Sequence, residues 1–523
     1  MTNDECGHET GGLVPITRLS ARITRMRITF LGHQGWYFEH EGRGFLLDPI
    51  LESIGNGAAR LPVWPRRRLD FTRFEPLDAV IISHEHADHF SLETLNALPR
   101  RVRVLVPDLA SRAMTTAIAE LGFAVHRFPA LSGFILAGIR VTALPGLYNT
   151  LEPDTYALLL QDPSGASFLT AIDTVAHPDV CAWLAQHCPR RTLDNLTNNF
   201  VEPRAPLLRD GSSFTKSRAV VAANMMDFIQ KFDPSRAVIS GQGWSFEGAK
   251  RPLNHSFFSV DNHWLAKVAT ELAPHVEWFE GGPGLRFTFH GDQLQIDRSD
   301  LITVTECADR EFHPHSVQVT EPFPPWSEER EISAERMSAL RSFVIERYGQ
   351  ILGACAPRLM EKLYYLKFAR LESIIPTLAL VLRNGSARHT FEFDYGQLVF
   401  RETSVHAARH QYAVGLEMWA SDLELLLGAQ EEAFTVYESA VRPWSVAHEA
   451  LDLASLQECF MWFTPRFRPQ EFLEFYRGRI AELMAEGGAG SGDASNASDG
   501  SDGSDGGDAS DASDASDERL LVR

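Results

Sequence analysis

The sequence is poor in cysteine and has no long apolar run, and each of these deficits excludes a class of protein. Its 523 residues include only six cysteines, with no Cys-x-x-Cys pair, which is typical of reduced thiols rather than of a disulfide framework. No apolar stretch approaches the ~20 residues that a membrane-spanning helix needs. Residues 1–19 are polar and lack the apolar segment of a secretory signal. We therefore expect a cytoplasmic protein without a membrane partner.

Basic residues are also in deficit. Lys and Arg number 49 against 69 Asp and Glu, so the formal net charge is −20. Residues 486–523, with eight Asp, two Glu and two Arg, carry −8 of this charge, and the rest of the chain is mildly acidic. A large phosphate-binding surface needs the opposite sign of charge. We therefore expect no nucleic-acid partner.

The apolar pattern divides the chain into regions of different character. Short β-branched segments alternate with helical ones over residues 22–300, which predicts an α/β layered domain. Prolines accumulate in residues 301–330, which we interpret as a linker, and helical periodicity dominates an α+β accessory domain over residues 331–484. These boundaries leave a flexible N-terminus at 1–21 and a tail at 485–523.

The accessory domain contains one predicted hairpin among its helices. Segments Thr377–Leu382 and Arg388–Phe393 flank Asn384-Gly385, which is a strong turn signal. Residues Ala413–Leu427 carry apolar side chains at helical spacing, which predicts a helix. The many aromatic residues are interpreted as core, with the lining of an apolar pocket or of a lid over a metal cleft as the alternative. They include Trp419, Phe434, Tyr437, Trp444, Phe460, Trp462 and Phe463.

The tail has a repetitive composition. Residues 487–518 repeat Ala or Gly with Ser and Asp at period three and contain no aromatic or large apolar residue. Such a composition cannot offset the entropy of ordering, which predicts disorder. We favour a solvated appendage over the alternative of a weak cation-binding segment.

Histidines and carboxylates cluster directly after a predicted buried strand, Ala79–Ile82. The next residues read Ser-His-Glu-His-Ala-Asp-His, so His84, His86, Asp88 and His89 have the spacing His-x-His-x-Asp-His. Imidazole nitrogens and carboxylate oxygens are ligands of zinc, manganese and iron. We predict that the first two histidines share one metal and that the Asp-His pair reaches a neighbouring one. The alternative, a loop that is His-rich by chance, is disfavoured by the spacing.

This motif resembles the signature of the metallo-β-lactamase superfamily. Ile28–Gly35 and Phe45–Pro49 are similar to the opening of that fold, where a β-hairpin ends in a structural Asp-Pro. The resemblance extends over about residues 22–297. It is greatest to the branch that contains L-ascorbate-6-phosphate lactonase and the metallo-β-lactamase-like part of CMP-N-acetylneuraminate hydroxylase. The implied fold is an αββα sandwich with metals between the edges of two sheets.

The resemblance also implies roles for residues outside the motif. Phe168–Thr174 is similar to the strand that ends in a metal-bridging Asp, so Asp173 is the implied bridging ligand, with capping of a helix near Pro178 as its alternative role. Asp48 is implied as a residue that orients a metal-bound histidine. His33 resembles a residue near the metals that hydrogen-bonds a ligand or the substrate. A lone histidine at a strand end is more often structural, which is the alternative for His33.

The third histidine of the family pattern is absent from this sequence. Its usual position falls near Tyr148, where Tyr148, Asn149 and Glu152 are the available substitutes. Glu152 is the best oxygen donor of the three. An equal alternative is that all three are ordinary loop residues.

The last histidine of the family pattern is absent as well. Gln242 lies nearest its expected place after Ser240, and His255 or His263 is a candidate from downstream. Loss of imidazole, with a possible gain of carboxylate, shifts the preference of the site toward harder metals such as iron or manganese.

Three functions are compatible with these residues. The first expectation is a hydrolase with two divalent ions (zinc, manganese or iron), in which metal-activated water attacks an ester, lactone or phosphoester of a small molecule. Asp88, Asp173 or Glu152 would then accept the proton. The second is a diiron oxygenase that hydroxylates a small metabolite and needs a redox partner, which the missing histidines support. The third, a binding protein with a degenerate metal site, is disfavoured by the intact motif.

Overall fold

The computed structural model describes most of the chain between residues 25 and 489. The described residues are 25–57, 60–74, 76–146, 155–171, 173–174, 177–197, 218–241, 243–248, 250–251, 261–291, 293–306, 325–368, 374–403, 411–445 and 453–489. The chain divides into a unit that ends at Ala481 and a short unit that begins at Glu482. The predicted N-terminal segment 1–21 and residues 490–523 of the predicted tail lie outside the described residues. No helix of the described part is both long and apolar enough to cross a membrane.

Strands and helices alternate up to residue 306. The strands are β1 (Met26–Gly32), β2 (Gly35–His40), β3 (Arg43–Leu47), β4 (Ser53–Ile54), β5 (Leu61–Pro62), β6 (Arg66–Leu69), β7 (Leu77–Ile81), β8 (Arg103–Pro107), β9 (Val125–Phe128), β10 (Gly133–Leu136), β11 (Ile139–Pro145), β12 (Tyr156–Gln161), β13 (Ser167–Thr170), β14 (Leu193–Thr197), β15 (Arg236–Ser240), β16 (Glu277–Glu280), β17 (Leu285–His290), β18 (Gln293–Arg298) and β19 (Ile302–Glu306). The helices are α1 (Leu92–Asn96), α2 (Arg112–Glu120), α3 (Pro178–His187), α4 (Arg218–Phe232) and α5 (Asn262–Leu272), with a 3₁₀ turn at Phe71–Phe74. The predicted α/β class is confirmed.

Two large sheets account for most of these strands. Within the described residues, the first has the order β18-β17-β1-β2-β3-β7-β8-β9 and the second the order β10-β11-β12-β13-β14-β15-β16. Strands β3, β7, β8 and β9 run parallel, and so do β13 to β16. The carboxyl ends of parallel strands meet at one edge of a sheet, where ligands bind in layered α/β folds. The histidine motif follows β7, which is an interior strand of the first sheet.

Aromatic rings fill the space between the two sheets. Trp36 and Phe38 of β2 lie 5.0 and 5.6 Å from Phe168 of β13, measured between ring centroids. Phe38 also stacks on Phe45 of β3 at 4.9 Å. Helices α3, α4 and α5 pack on the second sheet through a separate apolar cluster, and α2 packs against β9 of the first sheet. This order of layers is the αββα sandwich that the sequence predicts.

The region from residue 325 onward is built on a smaller sheet. Its strands are β20 (Ile375–Asn384), β21 (Ala387–Asp394), β22 (Val399–Thr403), β23 (Tyr412–Trp419) and β24 (Arg442–Ser445), in the order β22-β21-β20-β23-β24. Its helices are α6 (Ala334–Phe343), α7 (Gly349–Cys355), α8 (Pro357–Leu366), α9 (Ala420–Leu427), α10 (Ala433–Ala440), α11 (Leu453–Gln457) and α12 (Pro469–Ala489), with a π-helical segment at Val344–Tyr348 and a 3₁₀ segment at Glu458–Phe463. The region has the predicted α+β composition, and its exact boundaries stay a prediction.

The hairpin predicted in this region is confirmed. Strands β20 and β21 are antiparallel, and Asn384 pairs with Ala387, which leaves Gly385 and Ser386 in the turn. Gly385 has a φ of 58°, in the left-handed region that the Asn-Gly signal favours.

The helix predicted at Ala413–Leu427 is wrong in its first half. Residues Tyr412–Trp419 form β23, and α9 begins only at Ala420. All eight residues of β23 are buried, because apolar clusters of this region pack against its side chains, and the strand lies between β20 and β24 in the sheet. A strand that is buried on both faces lacks the alternation of apolar and polar residues by which strands are recognised. Periodicity therefore could not distinguish it from a buried helix.

Two predicted boundaries contain regular structure. The predicted linker, 301–330, begins with β19, which pairs with β6. Near its end, the amide of Trp326 donates to the buried carboxylate of Asp422 at 2.9 Å. At the other boundary, α12 continues to Ala489, a few residues into the predicted tail.

An apolar cluster joins the two regions of the larger unit. It contains Ile54, Val63 and Trp244 from the loops of the sandwich together with buried residues of the C-terminal region such as Tyr437 and Phe460. The side of the sandwich that carries the β4–β5 loop is therefore covered by the C-terminal region.

Two adjacent glycines give a matched test of packing. The amide of Gly281 donates to the carbonyl oxygen of Ile239 at 2.9 Å, and a β-carbon on Gly281 would lie 2.2 Å from that oxygen. A β-carbon on Gly282 would meet nothing within 4 Å. We predict that Gly281→Ala lowers the free energy of unfolding by about 2–3 kcal/mol, because the backbone must shift. Gly282→Ala should change it by less than ~0.5 kcal/mol. Urea denaturation measures both, and equal effects would contradict the close approach of β15 to the residues that follow β16.

Candidate metal centre

The His-x-His-x-Asp-His loop lies at the carboxyl end of β7. Strands β3 and β8 flank β7, so the loop leaves the interior of the sheet. The amides of His89 and Phe90 donate to the carbonyl oxygen of His86 at 2.9 and 2.8 Å, which closes the loop into a tight turn. The Ser91 hydroxyl then caps α1 by accepting from the amide of Thr94 at 3.2 Å. A strand end and a capped helix therefore fix both ends of the loop.

Asp48, which follows β3, is fully buried beneath this loop. Its Oδ1 accepts from the Ser83 amide at 2.7 Å, and its Oδ2 accepts from the Ser83 hydroxyl at 2.6 Å. The same Oδ2 lies 2.8 Å from Nδ1 of His89. When Nδ1 donates to Asp48, the neutral His89 ring presents the lone pair of its Nε2. This is the contact that an orienting carboxylate makes with a metal-binding histidine.

Six side chains, four of them from the loop, converge in two groups. The first group is His33, Asp88 and His89, and the second is His84, His86 and Asp173. Within each group the three ligand atoms lie within 4.8 Å of one another. Oδ2 of Asp173 lies 3.7 Å from Nε2 of His84 and 2.9 Å from Nε2 of His89, so it contacts both groups. Two clusters that share a carboxylate have the layout of a binuclear metal site.

His33 enters the first group from the turn between β1 and β2. Its Nδ1 accepts from the amide of Gly243 at 3.2 Å, and its carbonyl oxygen accepts from the amide of Gly241 at 2.7 Å. Because Nδ1 accepts, the proton of the neutral ring lies on Nε2, which donates to Oδ2 of Asp88 at 3.0 Å. In this arrangement His33 orients Asp88 through a hydrogen bond.

Three residues of the site have a left-handed backbone. The φ angles are 54° for His33, 43° for Asp48 and 47° for Asp173. Such conformations cost a residue other than glycine about 1 kcal/mol or more and persist where surrounding contacts hold them. Each lies after a strand, where the abrupt turn brings the side chain back toward the edge of the sheets. Seven other non-glycine residues of the described chain also have a positive φ, so this conformation accompanies the site without being confined to it.

Burial and charge set the protonation of the loop. Burial lowers the pKa of the His84 imidazole well below its usual range, and the neighbouring His89 and His86 lower it further. Burial alone would raise the pKa of Asp88, but His89 and the hydrogen bond from His33 outweigh it, and the pKa of Asp88 is lowered. For His89, burial favours the neutral ring, but the carboxylates of Asp88 and Asp48 outweigh it and raise its pKa well above the ordinary value. Without a cation, His89 therefore carries a proton between carboxylates.

Two buried atoms of the site show what would complete it. Nε2 of His84 and Oδ1 of Asp88 have no hydrogen-bond partner among the residues that the structure describes. A buried acceptor without a partner costs about 1–3 kcal/mol. A cation in each group would satisfy both atoms, and imidazoles with carboxylates are the donors that zinc, manganese and iron accept. The residues present therefore fit a pair of divalent metals.

The predicted site residues separate into those that the structure brings together and those that it does not describe. Seven converge at the two groups: His33, Asp48, His84, His86, Asp88, His89 and Asp173. Five lie outside the described residues, and their roles stay predictions: Tyr148, Asn149, Glu152, Gln242 and His255. His263 was a wrong candidate, because its exposed imidazole pairs with the carboxylate of Glu280 at 3.0 Å.

A cavity of about 80 Å³ lies beside the second group. Glu85, His86 and Leu109 line it from the sandwich, and Phe434, Arg466 and Tyr476 line it from the C-terminal region. The other predicted core aromatics behave differently. Trp419, Tyr437, Trp444, Phe460 and Phe463 are buried, and Trp462 packs against the same core. Phe434 packs against the same core but, unlike the others, also lines the cavity next to a candidate ligand.

Sequence reasoning missed a polar contact between the two regions. Glu432, just before α10, accepts from the amide and from the side-chain Nδ2 of Asn56, at 2.8 and 2.9 Å. Burial raises the pKa of the Glu432 carboxyl to about 7, against the opposing effect of the bonds from Asn56. The two residues are 376 positions apart, and neither belongs to a motif. A single sequence therefore carries no signal that could have found this contact.

Comparison with known proteins gives one matching family model. Residues 27–161 match a family described as a beta-lactamase superfamily domain. The chain is also 32% identical, over 128 residues, to the 4-amino-L-phenylalanyl-[CmlP-peptidyl-carrier-protein] 3-hydroxylase of Streptomyces venezuelae. This alignment covers 23% of each protein, so the chain spans less than a quarter of the length of that curated relative.

Solved structures with a similar fold include both hydroxylases and hydrolases. CmlA, a diiron beta-hydroxylase from Streptomyces venezuelae, is 19% identical with a TM-score of 0.35, and the alignment covers 50% of this chain and 54% of CmlA. An isothiocyanate hydrolase from Delia radicum gut bacteria is 16% identical with a TM-score of 0.37, and the alignment covers 51% of this chain and 100% of the hydrolase.

The proton on His89 predicts how metal binding depends on pH. A metal needs the neutral imidazole, so binding must displace the proton that Asp88 and Asp48 hold there. Below the raised pKa of His89, the neutral fraction grows about tenfold per pH unit. We predict that the affinity of the metal-free protein for Zn²⁺ rises between about pH 6 and pH 8. Calorimetry in buffers of different ionisation enthalpy should detect the released proton.

Asp48→Asn provides the control for this measurement. The variant removes one of the two carboxylates that raise the pKa of His89, so the affinity should vary less steeply with pH. An affinity for Zn²⁺ that is the same at both ends of the range in the wild-type protein would contradict the assigned protonation of His89.

Proposed function

This chain belongs to the metallo-β-lactamase superfamily of metalloenzymes, and we propose that it holds two iron ions and hydroxylates a small molecule. His84, His86 and Asp173 would bind one ion, and Asp88 and His89 the other, with Asp173 between them. Iron bound there would supply the redox chemistry that activates dioxygen. Asp48 would hold the ring of His89 by its Nδ1, and His33 would hold Asp88, so the ligands are oriented before the ions arrive.

The observation that carries this proposal is the lack of imidazole where hydrolases of the superfamily have it. The sequence contains no histidine between His126 and His177, and we propose Glu152, the best oxygen donor among the three candidates there, in place of the third histidine. Carboxylates in place of imidazoles favour harder metals such as iron. The name of the 32% identical relative, a 3-hydroxylase, supports the same reaction class.

The proposed reaction needs partners besides the substrate. Insertion of one oxygen atom of dioxygen into a C–H bond reduces the other atom to water and consumes two electrons and two protons. The electrons must come from outside the chain, so we propose a redox partner. The cavity that His86 and Phe434 both line is the proposed entry of the substrate, since it reaches a candidate ligand.

Hydrolysis is the second candidate, and the geometry of Asp88 favours it. Its Oδ2 is held by His33, whereas its buried Oδ1 has no partner within the described part of the chain. An oriented carboxylate of this kind can accept a proton from attacking water. The substrate would then be an ester, lactone or phosphoester, with zinc or manganese in place of iron.

Metal content and spectroscopy separate the two reactions. We expect protein expressed without added metal to contain about two irons per chain and to show a visible absorption band that is lost on reduction and regained with dioxygen. Zinc or manganese without iron, together with turnover of p-nitrophenyl acetate or bis-p-nitrophenyl phosphate, would instead support the hydrolase. Less than about half a metal per chain after anaerobic reconstitution with Fe²⁺ or Zn²⁺ would contradict both.

His86→Ala tests the assigned ligands directly. We predict that the variant binds about one ion per chain instead of two, because the second group loses a ligand whereas the first stays intact. Circular dichroism should be unchanged, since His86 is only partly buried. The matched control is His263→Ala, which removes an exposed imidazole and should leave the metal content at the wild-type value. Unchanged metal in His86→Ala would refute the assignment.

A further inference from the structure

A ring from the C-terminal region stacks on a candidate metal ligand. Phe434, in the first turn of α10, lies 5.5 Å from His86 between ring centroids, and the two planes are inclined by 28°. On another side, Phe434 meets Trp244 edge to face at 5.7 Å and 70°. Stacked and edge-to-face contacts are the favoured geometries of aromatic pairs. Phe434 therefore lies between the metal-binding loop and the segment that follows β15.

The segment around Trp244 also supports the first metal group. The amide of its neighbour, Gly243, donates to Nδ1 of His33, and Nε2 of His33 contacts Asp88. One side of Phe434 thus contacts a residue of the second group, and another side contacts the segment that orients the first. A single ring of the C-terminal region therefore contacts the second group directly and the first group indirectly, through Trp244 and Gly243.

The start of α10 is fixed relative to the same loop. Glu432 binds both the amide and the side chain of Asn56. Asn56 in turn donates from Nδ2 to the carbonyl oxygen of Phe90 at 3.0 Å and accepts at Oδ1 from the amide of Leu92 at 2.8 Å. Phe90 and Leu92 closely follow the motif. The hydrogen bonds run from α10 to the end of the loop, so Phe434 and His86 are held at a fixed separation.

We propose that Phe434 is a positioning residue for His86. The C-terminal region would thereby contribute to the ligand geometry of the metal centre. The inference rests on the proposed function, in which His86 is a ligand. His86 is partly exposed, whereas the rings of His84 and His89 are buried. Stacking on Phe434 restricts the imidazole to the orientation in which it points at the second group.

Metal binding by position-434 variants tests this proposal without any substrate. Metal-free protein is titrated with Co²⁺, whose visible bands report ligand geometry, and the dissociation constants are measured by competition with a chelator. We expect Phe434→Ala to weaken the binding of one of the two ions about tenfold and to change its bands. Phe434→Tyr keeps the ring and should restore both the affinity and the spectrum. If Phe434→Ala does not fold, Phe434→Leu fills a similar volume without a ring and should show the same changes.

Phe343→Ala is the matched control. Phe343 is also a partly buried ring of the C-terminal region, and it packs on Tyr348 and Trp462 rather than on a histidine of the loop. We expect this variant to lower stability and leave both Co²⁺ affinities unchanged. The same loss of affinity in Phe343→Ala would overturn the proposal, because general destabilisation would then explain both variants.

The remaining outcomes separate this inference from the function on which it rests. Wild-type protein that binds two Co²⁺ ions, with unchanged affinities and bands in Phe434→Ala, would overturn the positioning role and leave the metal centre standing. Wild-type protein that binds no Co²⁺ would refute the proposed function itself. Failure of Phe434→Tyr to restore the spectrum would also overturn the role assigned to the ring.

Discussion

The rest of the site depends on the buried carboxylate of Asp48. This charge has no access to water, and its two oxygens are satisfied by the Ser83 amide, the Ser83 hydroxyl and Nδ1 of His89. A buried carboxylate is tolerated only with such partners. The same three bonds fix where the loop leaves β7 and which nitrogen of His89 faces the other carboxylates. The end of β3 therefore determines the geometry at the end of β7.

Negative charge is the second constraint on the site. Asp48, Asp88 and Asp173 all approach the ring of His89, and only a proton or a metal can lie between them without repulsion. In the metal-free protein, the raised pKa of His89 keeps a proton among these carboxylates. In the proposed function, two metal ions supply the positive charge instead. The left-handed backbone of Asp48 and Asp173 directs their carboxylates toward the imidazoles, and the contacts made there hold this strained conformation in place.

The sequence predicted the parts of the site that follow from local patterns, and missed those that arise from distant contacts. His84, His86, Asp88 and His89 were predicted because a strand and their spacing place them together, and Asp173 because its segment resembles the family's strand that ends in a bridging Asp. The sequence placed Phe434 among rings that could line a pocket over the metal cleft, but its stacking on His86 was not predictable, because the two residues are far apart in the chain. Strand β23 was missed for a related reason, since burial of all its side chains by distant parts of the chain left no alternation in its sequence.

The apolar cluster shared by the sandwich and the C-terminal region has a consequence for any shortened form of the chain. Ile54, Val63 and Trp244 are buried by residues beyond position 325. A chain shortened to the sandwich would expose these apolar side chains to water as a patch that promotes aggregation. The sandwich of this chain therefore depends on the C-terminal region to keep these side chains out of water.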